Sequence, residues 1–364
     1  MAITNVAPAL DHGEWARAHF RGFETILMPS FTPDLRELDE DGVRHDVRMS
    51  HRHGCFSVFA TMGGLSPEER QRYLSIVCDE AAGKLSVGVP VPAATPEAAA
   101  EQLQAAQAAD CTHALLFPHG LHVDTEEELY RYYRAAIESS DLPIVLWATD
   151  GTQFANLHPS NVAVDVYDRL ADLPSVIALK LMTTLELPTV FELCERTHEK
   201  VLIGGVHLGT MPLLAKHYGM RWSGAWTIEA LQSPEQPYVV EYLEHMLAGR
   251  WQEASDTYWR IKPGYDALFR LMAPMLPKGV HPFTHLKYYQ WCVGGNGGVM
   301  REPWDPNERE FPLRPDERDA IKQAFRAIGI EPSEDSDECF VVGRASFEKG
   351  TRAADMPVKP VYAE

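Results

Sequence analysis

Short apolar runs rich in β-branched residues alternate with amphipathic stretches between residues 24 and 226. Eight of these runs read as strands: Glu24–Ser30, Cys55–Ala60, Leu85–Pro90, His113–Pro118, Pro143–Trp147, Val176–Lys180, Val201–Gly205 and Arg221–Trp226. Most of each run is continuously apolar, as in strands covered on both faces. The stretches between them carry helix start signals. Ser66-Pro67-Glu68-Glu69 places a hydroxyl at the N-cap, Pro at the first helical position and Glu at the third, a capping box. Thr125-Glu126-Glu127-Glu128 repeats the box, and Thr95-Pro96-Glu97 opens an Ala-rich stretch reaching Ala109. Eight strands alternating with helices predict an α/β protein, a parallel (β/α)8 TIM barrel. A doubly wound open sheet shares the alternation, but no G-x-G-x-x-G follows the first strand to mark a dinucleotide-binding version.

The strand signal stops near residue 233. Pro234–Ala248, Trp251–Met272, Pro282–Val293 and Pro315–Gly329 all read as helices. The predicted layout is an N-terminal extension (1–22), the barrel (23–233), a C-terminal helical region (234–332) and a C-terminal extension (333–364). That last segment starts acidic, passes through a strand-like Cys-Phe-Val-Val-Gly-Arg, and reads as a surface extension or oligomer arm. The Gly294–Gly298 run resembles a phosphate loop by composition only and is read as a turn between helices.

Charge narrows the partners. The 364 residues hold 33 Lys and Arg against 52 Asp and Glu, a net charge of −19. Such a chain repels phosphate backbones, so neither nucleic acid nor an anionic membrane is an expected partner. No apolar run reaches the roughly 18 residues of a membrane span, and the first residues lack a signal-peptide pattern. The six cysteines contain no C-x-x-C. A cytoplasmic protein with reduced thiols is expected. The His and Cys residues show no zinc spacing. His51-Arg52-His53 reads as a surface pair, and no metal is expected.

In an α/β barrel the site lies at the C-terminal ends of the strands. Lys180 ends the apolar run Val-Ile-Ala-Leu-Lys and can project into the barrel mouth. Desolvation lowers a lysine's proton affinity, and the neutral amine attacks carbonyls to form Schiff bases. The plain alternative is a surface lysine at a strand end.

Several segments, in order, resemble the dihydrodipicolinate synthase/N-acetylneuraminate lyase family of class I aldolases and lyases, from about Phe23 to Gly329. They are ILMPSFTPDLRELDEDGVRHDV, ATMGGLSPEER, PIVLWATDG, VIALK and HPFTHLKYYQWCVGGNGGVMREP. The resemblance implies that Lys180 forms a Schiff base with a pyruvate-type 2-oxo acid. It also implies that no cofactor is needed and that the chain is a homo-oligomer, dimer or tetramer. Thr61 matches the first threonine of the family's carboxylate-binding pair. Met62 replaces the second, leaving the Met62 and Gly63 amides as donors. Gly64 stands where the family has Glu.

Trp147 stands where the family carries its proton-shuttling Tyr. A phenol both donates and accepts, whereas an indole N–H only donates. The shuttle must then lie elsewhere, with His119, Asp150, Thr149 or an ordered water as candidates. His207, after Val-Leu-Ile-Gly-Gly, is a further candidate for substrate binding. Trp147, Phe117 and Trp226 suggest a bulkier partner for the 2-oxo acid, aromatic or a precursor of a specialised metabolite. The function expected is a lyase or aldolase making or breaking a C–C bond, with or without loss of water. The rival is a barrel of the same descent that binds a small molecule or assembles without catalysis.

Overall fold

The computed structural model describes residues 11–149, 154–182, 185–274, 282–298, 300–301 and 313–355, apart from the side chains of residues 118 and 225. The eight expected strands are present: β1 (Gly22–Leu27), β2 (Ser57–Ala60), β3 (Ser86–Ala93), β4 (His113–Pro118), β5 (Ile144–Ala148), β6 (Val176–Leu181), β7 (Leu202–Gly205) and β8 (Trp222–Trp226). Each pairs in parallel with the next and β8 returns to β1, closing a TIM barrel.

The helices are α1 (His12–His19), α2 (Glu40–Arg52), α3 (Pro67–Ala81), α4 (Pro96–Ala108), α5 (Glu126–Ile137), α6 (Val164–Leu170), α7 (Leu187–Thr197) and α8 (Met211–Tyr218). Beyond the barrel come α9 (Tyr238–Leu247), α10 (Trp251–Met272), α11 (Phe283–Cys292), α12 (Pro315–Ala327), α13 (Asp337–Val342) and α14 (Arg344–Glu348). Ser66 and Thr125 make the capping boxes their sequences encode, and Thr95 caps the Ala98 amide.

Strand alternation divides the core in two. Outward residues such as Val58, Leu116, Leu146 and Leu179 pack in the large cluster that fills the space under the helices. Inward residues Phe59, Leu115, Val145, Ala178 and Trp222 form a second cluster inside the barrel, joined by Trp15, Ala16 and Phe20. The last three belong to α1 and its C-cap. Helix α1 with Phe20, part of what was expected as an N-terminal extension, therefore stoppers the bottom of the barrel. Asp11 caps α1 by accepting from the Gly13 and Glu14 amides.

Two further expectations are corrected. Cys-Phe-Val-Val is helical, in α13, with Ser336 capping the Cys339 amide. A short apolar run fits either period, and here an N-cap Ser followed by Asp and Glu decides for helix. Nor is this segment an arm: Cys339 through Val342 are buried, and Phe340 packs edge-on against Tyr288 and Trp291 of α11. His53 is likewise not at the surface. It is buried, its Nε2–H donates to the Val293 carbonyl, and burial lowers its pKa to about 4. The Gly294–Gly298 turn is fastened to α2, with the Asn296 amide donating to Asp46 at 2.6 Å.

Candidate active site

Lys180 is the penultimate residue of β6, two positions above inward-facing Ala178, so alternation aims it into the barrel. It is 4% exposed. Among the described residues its amine makes no ion pair within 4 Å. Aromatic rings surround it instead: Trp147 at 5.3 Å on β5, its register partner, and Phe59 at 6.0 Å on β2. Phe117 of β4 stands edge-on to Trp147 at 4.5 Å. Burial is the main cause of a pKa lowered to about 8, partly offset by the Glu24 carboxylate. An amine in that state has an appreciable neutral fraction near neutrality and can attack a carbonyl.

The loop after β2 approaches from the side. Thr61 directs its hydroxyl at the Leu27 carbonyl, 3.0 Å away, and its amide to the same oxygen. That proton is already committed to the backbone. Among the described residues, the amides of Met62 and Gly63 donate to no protein acceptor, and they are half-buried. Gly64 follows with φ +75°, a left-handed turn that glycine adopts without strain.

Arg301 holds this loop in place. Its guanidinium donates to the Leu35 and Arg36 carbonyls in the loop after β1, and to Glu69 on α3 at 2.6 Å. The same group lies over the Phe31 ring at 4.4 Å. Two loops of the mouth are thus tied by one side chain from the C-terminal region. Sequence reading placed Arg301 only within a family-like pattern and gave it no role.

The remaining expected residues are dispersed. His119 is exposed in the loop after β4, with its amide bonded to Ala93. Thr149 follows β5 and is half-buried, one residue past the strand that carries Trp147. Asp150 lies outside the described residues. His207 packs edge-on against Tyr265 of α10 at 5.8 Å, and burial lowers its pKa. Trp226 turns its ring to Phe23 of β1 and donates its indole N–H to Ser223. The structure therefore gathers Lys180, Trp147, Phe117 and Phe59, leaves His207 and Trp226 with other partners and leaves His119 exposed.

Below Lys180 lies a polar cluster with no counterpart in the expectations. Glu24 of β1 accepts from Ser57 of β2 at 2.9 Å and is 2.8 Å from His113 Nε2 on β4. All three are buried. The signal was present, since a Glu and a His each open an otherwise apolar run. Only barrel closure brings β1 and β4 together across the interior.

Among the described residues no three His, Cys, Asp or Glu side chains converge as a metal site. No described helix is long and apolar enough to cross a membrane.

Comparison with known proteins places this arrangement. A 4-hydroxy-tetrahydrodipicolinate synthase of Methanothrix thermoacetophila is 29% identical over 309 residues, covering 81% of this chain and 95% of that protein. The corresponding enzyme of Methanopyrus kandleri is 24% identical, covering 85% and 97%. The fold superimposes on dihydrodipicolinate synthase from Oceanobacillus iheyensis with a TM-score of 0.68 at 19% identity, covering 87% of this chain and 99% of the other. It superimposes on N-acetylneuraminate lyase from Fusobacterium nucleatum with a TM-score of 0.65 at 16% identity, covering 85% and 99%. The model of the dihydrodipicolinate synthetase family matches residues 25–213, just over half the chain, and the chain belongs to that family.

Proposed function

We propose that the protein is a Schiff-base lyase or aldolase acting on a pyruvate-type 2-oxo acid and a bulkier second molecule. The observation that carries this reading is a lysine buried at the C-terminal end of a barrel strand, with no ion-pair partner among the described residues and with its pKa lowered to about 8. Burying an amine costs free energy, and among the described residues no acid pairs with it directly within 4 Å. The neutral Lys180 amine adds to the C2 carbonyl of the acid, and loss of water with uptake of one proton leaves an iminium on Nζ. The iminium draws electrons from C3, so loss of a C3 proton gives an enamine whose C3 attacks the second molecule to form a C–C bond. In the opposite direction, cleavage of the C3–C4 bond of an iminium adduct leaves the same enamine.

The acid's carboxylate is held by the Met62 and Gly63 amides, because the Thr61 hydroxyl proton is engaged with Leu27. A carboxylate only accepts hydrogen bonds, so Thr61 contributes to binding only by giving up that bond. The half-buried Trp147 shapes the wall beside the amine and cannot accept a proton. Proton transfer falls to Thr149, Asp150, His119 or an ordered water. The ring pair Phe117–Trp147 favours a partner with an apolar or aromatic face.

Borohydride trapping with pyruvate and bulkier 2-oxo acids, read by peptide mass spectrometry, tests the reading. A reduced adduct on Lys180, absent from Lys180→Ala, is the expected result. Adducts confined to other lysines would overturn the assignment of Lys180, and none with any acid would favour the non-catalytic barrel.

A further inference from the structure

We infer that Glu24 is the fixed counter-ion of the Lys180 cation, amine or imine, held on the barrel floor by His113 and Ser57. The inference rests on the reading of Lys180 as the imine-forming residue.

The floor is built around this carboxylate. One oxygen accepts from Ser57 at 2.9 Å and lies 2.8 Å from His113 Nε2. On the other side of the ring, His113 Nδ1 lies 3.0 Å from the Thr112 hydroxyl. A Cβ at Gly88 would stand 2.4 Å from His113 and 2.6 Å from Glu24. A Cβ at Gly224 would stand 2.6 Å from the second carboxylate oxygen. Two glycines on β3 and β8 thus open the space the pair occupies. Beneath it Phe20 seals the pair from below, edge-on to His113 at 4.8 Å.

The interior offers no other described charge to Lys180. Apart from Ser57 and His113, which Glu24 itself engages, the inward neighbours on the other strands are apolar: Phe59 on β2, Leu115 on β4, Val145 and Trp147 on β5, Trp222 on β8. The plug adds Trp15 and Phe20, while His19 turns Nδ1 to the Trp15 carbonyl. On the outer side of the wall stand the Cys55 thiol and Glu229, the latter bonded by Thr25. Glu24 is bonded to Ser57, two positions below the Phe59 ring that the Lys180 amine faces at 6.0 Å, so its carboxylate lies under the amine and favours the cation against burial.

A buried cation without an anion is strongly disfavoured. A 2-oxo acid brings its own carboxylate to the mouth, but only after binding and on the far side of the imine. A glutamate on the floor supplies the charge from below at every stage. It also explains why a carboxylate–imidazole pair sits where a barrel is normally filled with aliphatic side chains. Glu24 is a positioning residue in this account, since it touches Ser57 and His113 rather than the reacting atoms.

Competitive acetylation of lysines across pH 6 to 10, with Lys180 followed by peptide mass spectrometry, tests this in the absence of any 2-oxo acid. In Glu24→Gln the labelling midpoint of Lys180 should fall by at least about half a pH unit, about threefold in neutral fraction at a given pH. Glu24→Asp, which keeps the charge, should restore it, and Ser57→Ala should leave it in place. A midpoint unmoved in folded Glu24→Gln overturns the inference. Should Glu24→Gln not fold, the 13C carboxyl resonance of Glu24, identified by its loss in Glu24→Asp, must shift as Lys180 titrates and stay still in Lys180→Met. A carboxyl signal indifferent to Lys180 overturns the inference equally. Failure of borohydride trapping with every acid, alongside a shifted midpoint, would sink the imine chemistry while leaving Glu24 as counter-ion of the amine.

Discussion

Moving the Lys180 amine from water to the end of β6 lowers its pKa from 10.5 to about 8, mainly through burial. Such a shift is also a statement about stability. The folded pKa lies below the unfolded one, so between about pH 8 and 10.5 the unfolded chain holds a proton that the folded chain has released. Stability therefore rises with pH through that window, and below pH 8 the full cost of about 3 kcal/mol is present. Lys180→Met should stabilise the protein at pH 7 by about 1–3 kcal/mol while abolishing adduct formation. Its advantage should shrink toward pH 10.5; denaturation at pH 7, 8.5 and 10 checks this, and a gain independent of pH would refute the burial account. Lys287 has the same lowered pKa of about 8, but its amine donates to the Pro29 carbonyl and the Ser30 hydroxyl and faces Asp46. Lys287→Met should therefore destabilise by about 3–5 kcal/mol, since it strands a buried carboxyl and two acceptors. Lys180 was legible in the sequence because a lysine at the end of an apolar run is chemically odd. Glu24 and His113 were not, because 89 positions separate two residues that each look like a polar strand start.

The strands were legible as continuous apolar runs, and α3, α4 and α5 from the caps at Ser66, Thr95 and Thr125, whereas α6, α7 and α8 start without a side-chain cap. Two further elements were misread. Helix α1 precedes the first strand, and its role appears only when Trp15 and Phe20 meet the inner cluster. Helix α13 is an apolar run too short for its period to decide between helix and strand. At this scale the mouth depends on the loops after β1 and β2 sharing the Arg301 anchor. Arg301→Ala releases the Leu35 and Arg36 carbonyls and Glu69 at once. The Met62 and Gly63 amides then lose their fixed place. The KM for the 2-oxo acid should rise about tenfold or more with a smaller change in kcat, because a misplaced binding loop costs orientation. Steady-state kinetics decides it; an unchanged KM with a lower kcat would mean that the loop does not hold the carboxylate. The Arg301 guanidinium also holds the Glu69 carboxyl below its ordinary range, so the anchor should weaken as pH falls and Glu69 takes up a proton. The rise in KM at acid pH should therefore be absent from Arg301→Ala.

Taken as a whole, the molecule is a barrel closed from below by α1 and braced along one side by its own C-terminal chain. The brace depends on Phe340, which is fully buried and stands 4.8 Å from Tyr288 and 5.6 Å from Trp291 between ring centroids. Its carbonyl accepts from the Gly298 amide, and Arg344 donates its backbone amide to Asn296. Asn296 in turn donates to Asp46 on α2, so the last helices reach the barrel through one turn. Gly297 leaves room for that contact, since a Cβ there would stand 2.7 Å from the Phe340 ring. Phe340→Ala opens a cavity among aromatic rings that cannot collapse to fill it, and should cost about 3–5 kcal/mol. Gly297→Ala, with φ +72° and the same ring in its way, should destabilise through the same seam. If the tail were an independent arm, neither change would move the unfolding midpoint of the barrel. Because the shortest bond of the turn goes to Asp46 on α2, and its side-chain contact with Ser30 in the loop after β1 is long at 3.4 Å, both variants should lose stability well before Lys180 loses its reactivity toward a 2-oxo acid at 25 °C. Parallel loss of adduct formation and of folding at equal denaturant would instead show that seam and mouth unfold as one unit.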